Sequence, residues 1–344
     1  QSIAIVLLTL KSSGKSFLCN LISILILKHL YMIGKNILVF GGSGQIGRHL
    51  IRRLTKNNHL VTVVTRNQHK KGAILKTQGN PGYIEIVESN IFDEEKLNNL
   101  IDKKDICINL VGILCENKKN TFKNIHVHFP SLISKICEKH KLKQFIHISA
   151  LGIVKAKDSN YAKSKVEGEK NIINNFPKST ILRPSVIYSV DDNFTTNLMT
   201  LLNLLPFFPL YYNGKTKFSP MHVSDMSEII SNIIDRSICS EIIECVGPEV
   251  MTFKEIIEKL SILIGRKKIL IPLPLTIAKL IAFFLEMLPK PLLTRDQLKL
   301  LKYDNVLSGE IKSNLDIGIQ PKLRFTDEIK KYSYMWKEGG EYSK

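Results

Sequence analysis

Short apolar runs alternate with amphipathic stretches along most of this chain. Residues 36–40 are apolar and end in Gly41-Gly42-Ser43-Gly44-Gln45-Ile46-Gly47. Beyond them Ile46, Leu50, Ile51 and Leu54 recur at helical spacing and predict a helix with one buried face. The same reading predicts further strands at 60–65, 84–87, 106–111, 145–149 and 180–182, and helices at 94–101, 129–140 and 160–175. The strands are apolar on both faces, and they alternate with helices. That pattern predicts an α/β fold of the Rossmann type, a doubly wound parallel sheet covered by helices. After Pro184 the rhythm changes. Prolines cluster at Pro206, Pro209, Pro272, Pro274, Pro289 and Pro291, and helices alternate with short extended pieces. The expected organisation is a Rossmann domain over 32–185 and a smaller, more helical lobe over 186–344.

Residues 1–31 stand apart as a leader, an anchor or a spurious extension, with Met32 a natural start just before the first strand. Their apolar runs, 3–10 and 17–31, fall short of the ~20 residues of a spanning helix. No arginine precedes Arg48, which argues against a mitochondrial leader. Gly14-Lys15-Ser16 looks like the end of a phosphate-binding loop, but Thr9 stands where that motif needs its first glycine.

Composition narrows the classes. At 44% hydrophobic and 23% charged residues the chain is that of an ordinary globular protein rather than a disordered one. The net charge is +18, and no Asp or Glu occurs before Glu85. Such a field suits an anionic partner: a phosphorylated cofactor or an anionic lipid surface. It equally fits a general lysine bias. No aromatic RNA-binding signature or base-reading basic helix is present, so nucleic acid is not an expected partner. The six cysteines include no C-x-x-C pair, which predicts a reducing compartment, no disulfide framework and no metal site.

The chemistry begins at the glycine loop. Gly41, Gly44 and Gly47 lie between a strand and a helix, where glycine lets the backbone approach a pyrophosphate and the helix start offers free N–H groups. Ser43, Gln45, Ile46 and Arg48 belong to the same cradle. The end of the second strand reads Val64-Thr65-Arg66-Asn67, with no acid to accept from a ribose 2′-hydroxyl. Arg66 instead suits a 2′-phosphate, which favours NADP(H) over NAD(H). Tyr161 and Lys165 form a Y-x-x-x-K pair on one helix face, where an ammonium is expected to lower the phenol pKa and make an acid/base of it. Tyr31/Lys35 and Tyr211/Lys215 share the spacing, but only Tyr161/Lys165 opens a helix soon after a central strand.

Together these strings resemble the extended, atypical branch of the short-chain dehydrogenase/reductases, with the NAD-dependent epimerases and dehydratases. That resemblance implies Tyr161 as acid/base, Lys165 as its partner and Asp93 beside the adenine. It implies a Ser or Thr where this chain carries Ala150, with Ser149 one residue early. A narrower resemblance, to the family of NADPH-binding 39 kDa accessory subunits of respiratory complex I and their bacterial relatives, rests on Gly41 to Arg48, Leu110-Val111-Gly112, His147 to Gly152, Tyr161 to Glu169, and Leu182-Arg183-Pro184-Ser185. Leu293-Thr294-Arg295-Asp296-Gln297-Leu298 and Tyr303-Asp304-Asn305-Val306 complete it. It adds Gly42, Leu110, Val111, Gly112 and Pro184 to the expected cofactor contacts. It implies an accessory or assembly subunit of NADH:quinone oxidoreductase with little or no turnover, peripheral on the matrix face of the mitochondrial inner membrane or the cytoplasmic face of a bacterial one.

The alternative is an NADP-dependent reductase or epimerase acting on a sugar nucleotide or a quinone-related lipid. The apolar, aromatic string 204–212 suits a lipid-like ligand or a protein partner, or belongs to the core. The apolar stretch 275–288 reads either as a buried helix of the second lobe or as a helix lying in a membrane interface or on a partner. Asp225 is expected to cap a helix.

Overall fold

The computed structural model describes residues 34–340 except 289, 290 and 292. The segment 1–31 and the helix stop at Pro289-Lys290 therefore lie outside the described residues. Seven parallel strands form the main sheet: β1 (Asn36–Phe40), β2 (Leu60–Thr65), β3 (Ile84–Glu88), β4 (Ile106–Asn109), β5 (Gln144–Ile148), β6 (Ser179–Pro184) and β7 (Glu241–Cys245). Their order is β7-β6-β5-β4-β1-β2-β3. The chain winds outward in one direction from β1 and then in the other from β4, so the switch point lies between these two strands, where open α/β sheets bind ligands.

Two-sided burial explains why the strands carry apolar residues at successive positions. Ile37 and Val39 of β1 join one core with α1 (Gln45–Lys56) and α7 (Val223–Asp235). Leu38 and Phe40 point the other way, into a core with α3 (Glu94–Ile101), α4 (Phe129–Lys139) and α5 (Asn160–Asn175). The predicted strand 106–111 ends early, at Asn109, because the Asn109 side chain accepts from the Val111 N–H at 3.0 Å and turns the chain. A helix that the apolar pattern did not predict, α2 (Gln68–Lys76), buries only Gly72 and Leu75 and is started by the Asn67 side chain accepting from the Lys70 N–H.

Residues 221–245, which the sequence reading put in the second lobe, return to the first core: α7 packs on α1 and β7 extends the sheet beside β6. Asp225 is not the cap of α7. His222 holds that place, and the Asp225 carboxylate accepts from the Lys322 and Leu323 N–H groups, tying down a C-terminal segment. The second lobe has its own core around Tyr188, Phe218 and Phe325, built by α6 (Thr195–Leu204), α8 (Phe253–Leu263) and α11 (Phe325–Lys330). Within the string 204–212, Phe208 and Leu210 enter this core, whereas Leu204 and Phe207 are exposed.

The stretch 275–288 is not a buried helix. Helix α9 (Leu275–Glu286) buries only Ala278 and Ala282, one turn apart. Its large residues point outward: Phe284 is 60% exposed and Met287, just past its end, 74%. The small residues allow close approach to the protein, and the apolar bulk is left in contact with solvent.

Candidate functional site

The glycine loop is shaped by close approaches that only glycine permits. Gly41 has φ +78°, and a Cβ there would meet the Leu110 backbone at 3.0 Å. A Cβ on Gly47 would stand 2.4 Å from the Gly42 carbonyl oxygen, so any larger residue would lift α1 away from the loop. Gly44 starts α1 with no side-chain cap, and no acidic residue occupies the first turn. The helix start therefore keeps its N–H groups and its partial positive charge for an anion. Gln45 and Arg48 face the second lobe. The Gln45 amide donates to the Ser189 hydroxyl at 2.9 Å, and Arg48 is ion-paired with Asp191. Arg48 is thus engaged in a bridge between loop and lobe rather than unpaired at the cradle.

Arg66 follows β2 directly, is exposed, and makes no hydrogen bond or ion pair among the described residues. It stands at the carboxyl end of the strand next to β1, where a ribose substituent would lie. Asp93 stands further out: its carboxylate caps α3, accepting from the Lys96 N–H at 3.1 Å. Across the switch point, Leu110, Val111 and Gly112 follow β4. A Cβ on Gly112 would lie 3.4 Å from the Lys165 ammonium nitrogen, which puts that glycine over the lysine. Pro184 closes the row at the end of β6, where its carbonyl accepts from the Leu151 N–H at 2.9 Å.

Tyr161 and Lys165 sit on the first turns of α5, which Ser159 caps by accepting from the Ala162 N–H. Both are buried, Tyr161 9% and Lys165 4% exposed. The Lys165 ammonium donates to the Ile148 carbonyl at 3.1 Å. Burial lowers its pKa to about 8, and the Glu169 carboxylate one turn away works against that fall. Glu169 is itself gripped by Arg183 of β6 at 2.9 and 2.5 Å. The tyrosine corrects an expectation. Burial pushes its phenol up to about 12, where the lysine was expected to bring it down. Its ring lies edge-on to Phe122 and His126, an apolar and aromatic setting in which the phenolate is disfavoured. His126 accepts from the Ile113 N–H, and burial drives its pKa down to about 2, so its ring is neutral.

Beside Tyr161 stands Ala150, packed on the same cluster with a methyl group where a hydroxyl would be needed. Ser149 is turned inward. Its hydroxyl and the Nε2 of His147 are buried with no hydrogen-bond partner among the described residues. Sequence reading missed Asn109, His126 and His147. The buried His147 and Asn109 side chains pair at 3.1 Å beneath the switch point, and nothing local in the sequence marks that contact. Among the described residues no group of three or more His, Cys, Asp or Glu is gathered to hold a metal. The glycine cradle, Gly112 beside the Lys165 ammonium and the unpaired Arg66 together fit a dinucleotide lying across the carboxyl ends of β2, β1, β4 and β5.

Residues 35–253 match the family model of the RmlD substrate binding domain, well over half of the chain. The chain belongs to that family. Relatives include the mitochondrial NADH-ubiquinone oxidoreductase 40 kDa subunit of Neurospora crassa, 27% identical over 84% of this chain and 76% of that protein. The mitochondrial NADH dehydrogenase [ubiquinone] 1 alpha subcomplex subunit 9 of Arabidopsis thaliana is also 27% identical, over 82% of this chain and 73% of that one. Among solved structures, the dTDP-glucose 4,6-dehydratase DesIV of Streptomyces venezuelae, with NAD and TYD bound, superposes with a TM-score of 0.65 at 17% identity, over 88% of this chain and 96% of that one. At that identity the structural likeness establishes the fold alone.

Proposed function

We propose that this chain is an accessory subunit of NADH:ubiquinone oxidoreductase that holds a nicotinamide nucleotide and turns over little or no substrate. The observation that carries this reading is the similarity to such subunits from a fungus and a plant, each over more than four fifths of this chain and about three quarters of the relative. The site supports a holding role. The glycine cradle and the buried Lys165 beside Gly112 are in place, while Ala150 supplies no hydroxyl and burial disfavours the phenolate of Tyr161. The nucleotide is NADP(H) in this reading, because Arg66 is unpaired at the end of β2 and no acid stands there.

In this reading the subunit is peripheral, because the outward Ile, Leu and Phe side chains of α9 form an apolar face of the kind that docks. No helix among the described residues is long and apolar enough to cross a membrane. In the complex this face lies where the assembly meets the bilayer. The test is to tag the chain at its C-terminus, solubilise native membranes gently and purify. NADH:quinone oxidoreductase activity is expected to co-elute, and acid release is expected to yield NADP(H). A protein that elutes without that activity, or that turns over NADPH with a sugar nucleotide at an ordinary enzymatic rate, refutes the reading.

A further inference from the structure

The segment 294–305 runs past the start of α5 and packs beside Tyr161. It begins with a capping box: the Thr294 hydroxyl accepts from the Gln297 N–H and the Gln297 side chain accepts from the Thr294 N–H. This fixes the short helix α10 (Arg295–Leu300) and aims Asp296 at the start of α5. There the Asp296 carboxylate accepts from the Ser159 hydroxyl at 2.7 Å, the Asn160 N–H at 2.9 Å and the Tyr161 N–H at 3.0 Å. The charge sits on the positive end of the helix that carries Tyr161 and Lys165. Leu300 and Tyr303 then pack on the cluster of Phe122 and Tyr161. At the far end, the Asn305 amide donates to the Leu151 carbonyl at 2.8 Å, and its carbonyl oxygen accepts from the Ser185 hydroxyl at 2.7 Å. Asn305 thereby joins the loops that follow β5 and β6, at the carboxyl edge where a ligand lies. On its outer side the segment is attached to the docking helix, since Glu286 of α9 pairs with Arg295 at 2.8 Å.

We propose that residues 294–305 are a built-in strap that stands in the place of a substrate over Tyr161 and, latched by Asp296, sets how long the nucleotide stays bound. The second half of this statement rests on the nucleotide-holding reading above. The strap closes one side of the site, the glycine cradle holds the other, and α9 seated in an assembly keeps the strap down. Asp296 is a positioning residue: it acts through α5 and touches no reacting atom.

Two readouts on the full-length chain test this. The first is nitration of Tyr161 by tetranitromethane, mapped by mass spectrometry, with Tyr188 in the second core as an internal control for unfolding. The second is the rate at which bound NADPH is lost when chased with excess NADP⁺. Asp296→Ala is expected to raise both roughly tenfold, the size of losing a helix-terminal carboxylate. Asp296→Asn keeps one acceptor oxygen and is expected to fall between. Leu300→Ala leaves the latch and is expected to raise Tyr161 nitration. Unchanged nitration in Asp296→Ala, with Tyr188 still protected, overturns the strap. Raised nitration with an unchanged NADPH lifetime overturns the control of retention. A wild-type chain that holds no NADPH refutes the nucleotide reading, and nitration then decides occlusion alone.

Discussion

Replacing Glu169 by alanine strands a charge inside the protein. The Glu169 carboxylate meets the Arg183 guanidinium through two bonds of 2.9 and 2.5 Å, and the two side chains are only 4% and 12% exposed. Removing one partner of such a pair typically costs about 3–5 kcal/mol, and the lower end is expected here because the buried Glu244 carboxylate on the neighbouring strand still acts on Arg183. In a chain of this size that corresponds to a fall in Tm of roughly 4–7 °C. The effect reaches the site, because Glu169 is the carboxylate that counters the burial of Lys165. Without it the ammonium is harder to keep, so NADPH affinity is expected to fall with stability. Differential scanning fluorimetry of Glu169→Ala, with and without NADPH, measures both. The double variant Glu169→Leu/Arg183→Met replaces the pair by apolar bulk and is expected to regain most of the lost stability while NADPH binding stays weak. A fall of less than about 1 kcal/mol in the single variant, the range of an exposed ion pair, would refute the argument that this pair is buried and isolated from water.

Three further outcomes are expected. Gly47→Ala drives a Cβ to 2.4 Å from the Gly42 carbonyl and is expected to abolish NADPH binding with the fold retained, checked by fluorescence titration beside circular dichroism. Arg66→Ala is expected to weaken NADPH about ten- to a hundredfold and NADH hardly at all, since one charge-assisted contact is worth on the order of 1.5–3 kcal/mol; equal losses for both nucleotides would remove the case for a 2′-phosphate at that residue. The Lys165 pKa is lowered to about 8 from 10.5, so between those values the unfolded chain binds more protons than the folded one. Stability without nucleotide should therefore rise with pH across that window, by up to about 3 kcal/mol, and Lys165→Met should abolish that rise in urea unfolding midpoints.

How much of this was legible in the sequence follows from the range over which each signal acts. The sheet was legible because burial on both faces writes itself into every strand, as Ile37, Leu38, Val39 and Phe40 show by entering two cores. The glycine cradle was legible because Gly41, Gly44 and Gly47 act within one turn of chain. Helix α2 was not, since it buries two residues and is held by an Asn67 cap rather than an apolar stripe. The direction in which α9 faces was not legible either. Apart from Thr276, Lys279 and Glu286 that helix is apolar, so its periodicity does not choose between a buried and an outward place for the large residues, and two alanines decide the matter only once a surface is there to receive them.

The site shows the same limit in a sharper form. Tyr161 and Lys165 have the spacing of an acid/base pair, and spacing alone argues for chemistry. What decides their behaviour lies elsewhere in the chain. Ala150 removes a hydroxyl, Phe122 and His126 surround the phenol, and Asp296 arrives from 135 residues away to close the helix that carries both. Each of these changes lowers the chance that Tyr161 exchanges a proton with a visiting molecule, and none of them disturbs the glycine cradle or the lysine that a bound nucleotide needs. On the proposed reading, loss of turnover and retention of nucleotide therefore have separate structural causes. Such a fold would become a holder by having its substrate side filled by its own chain while its cofactor side is left intact.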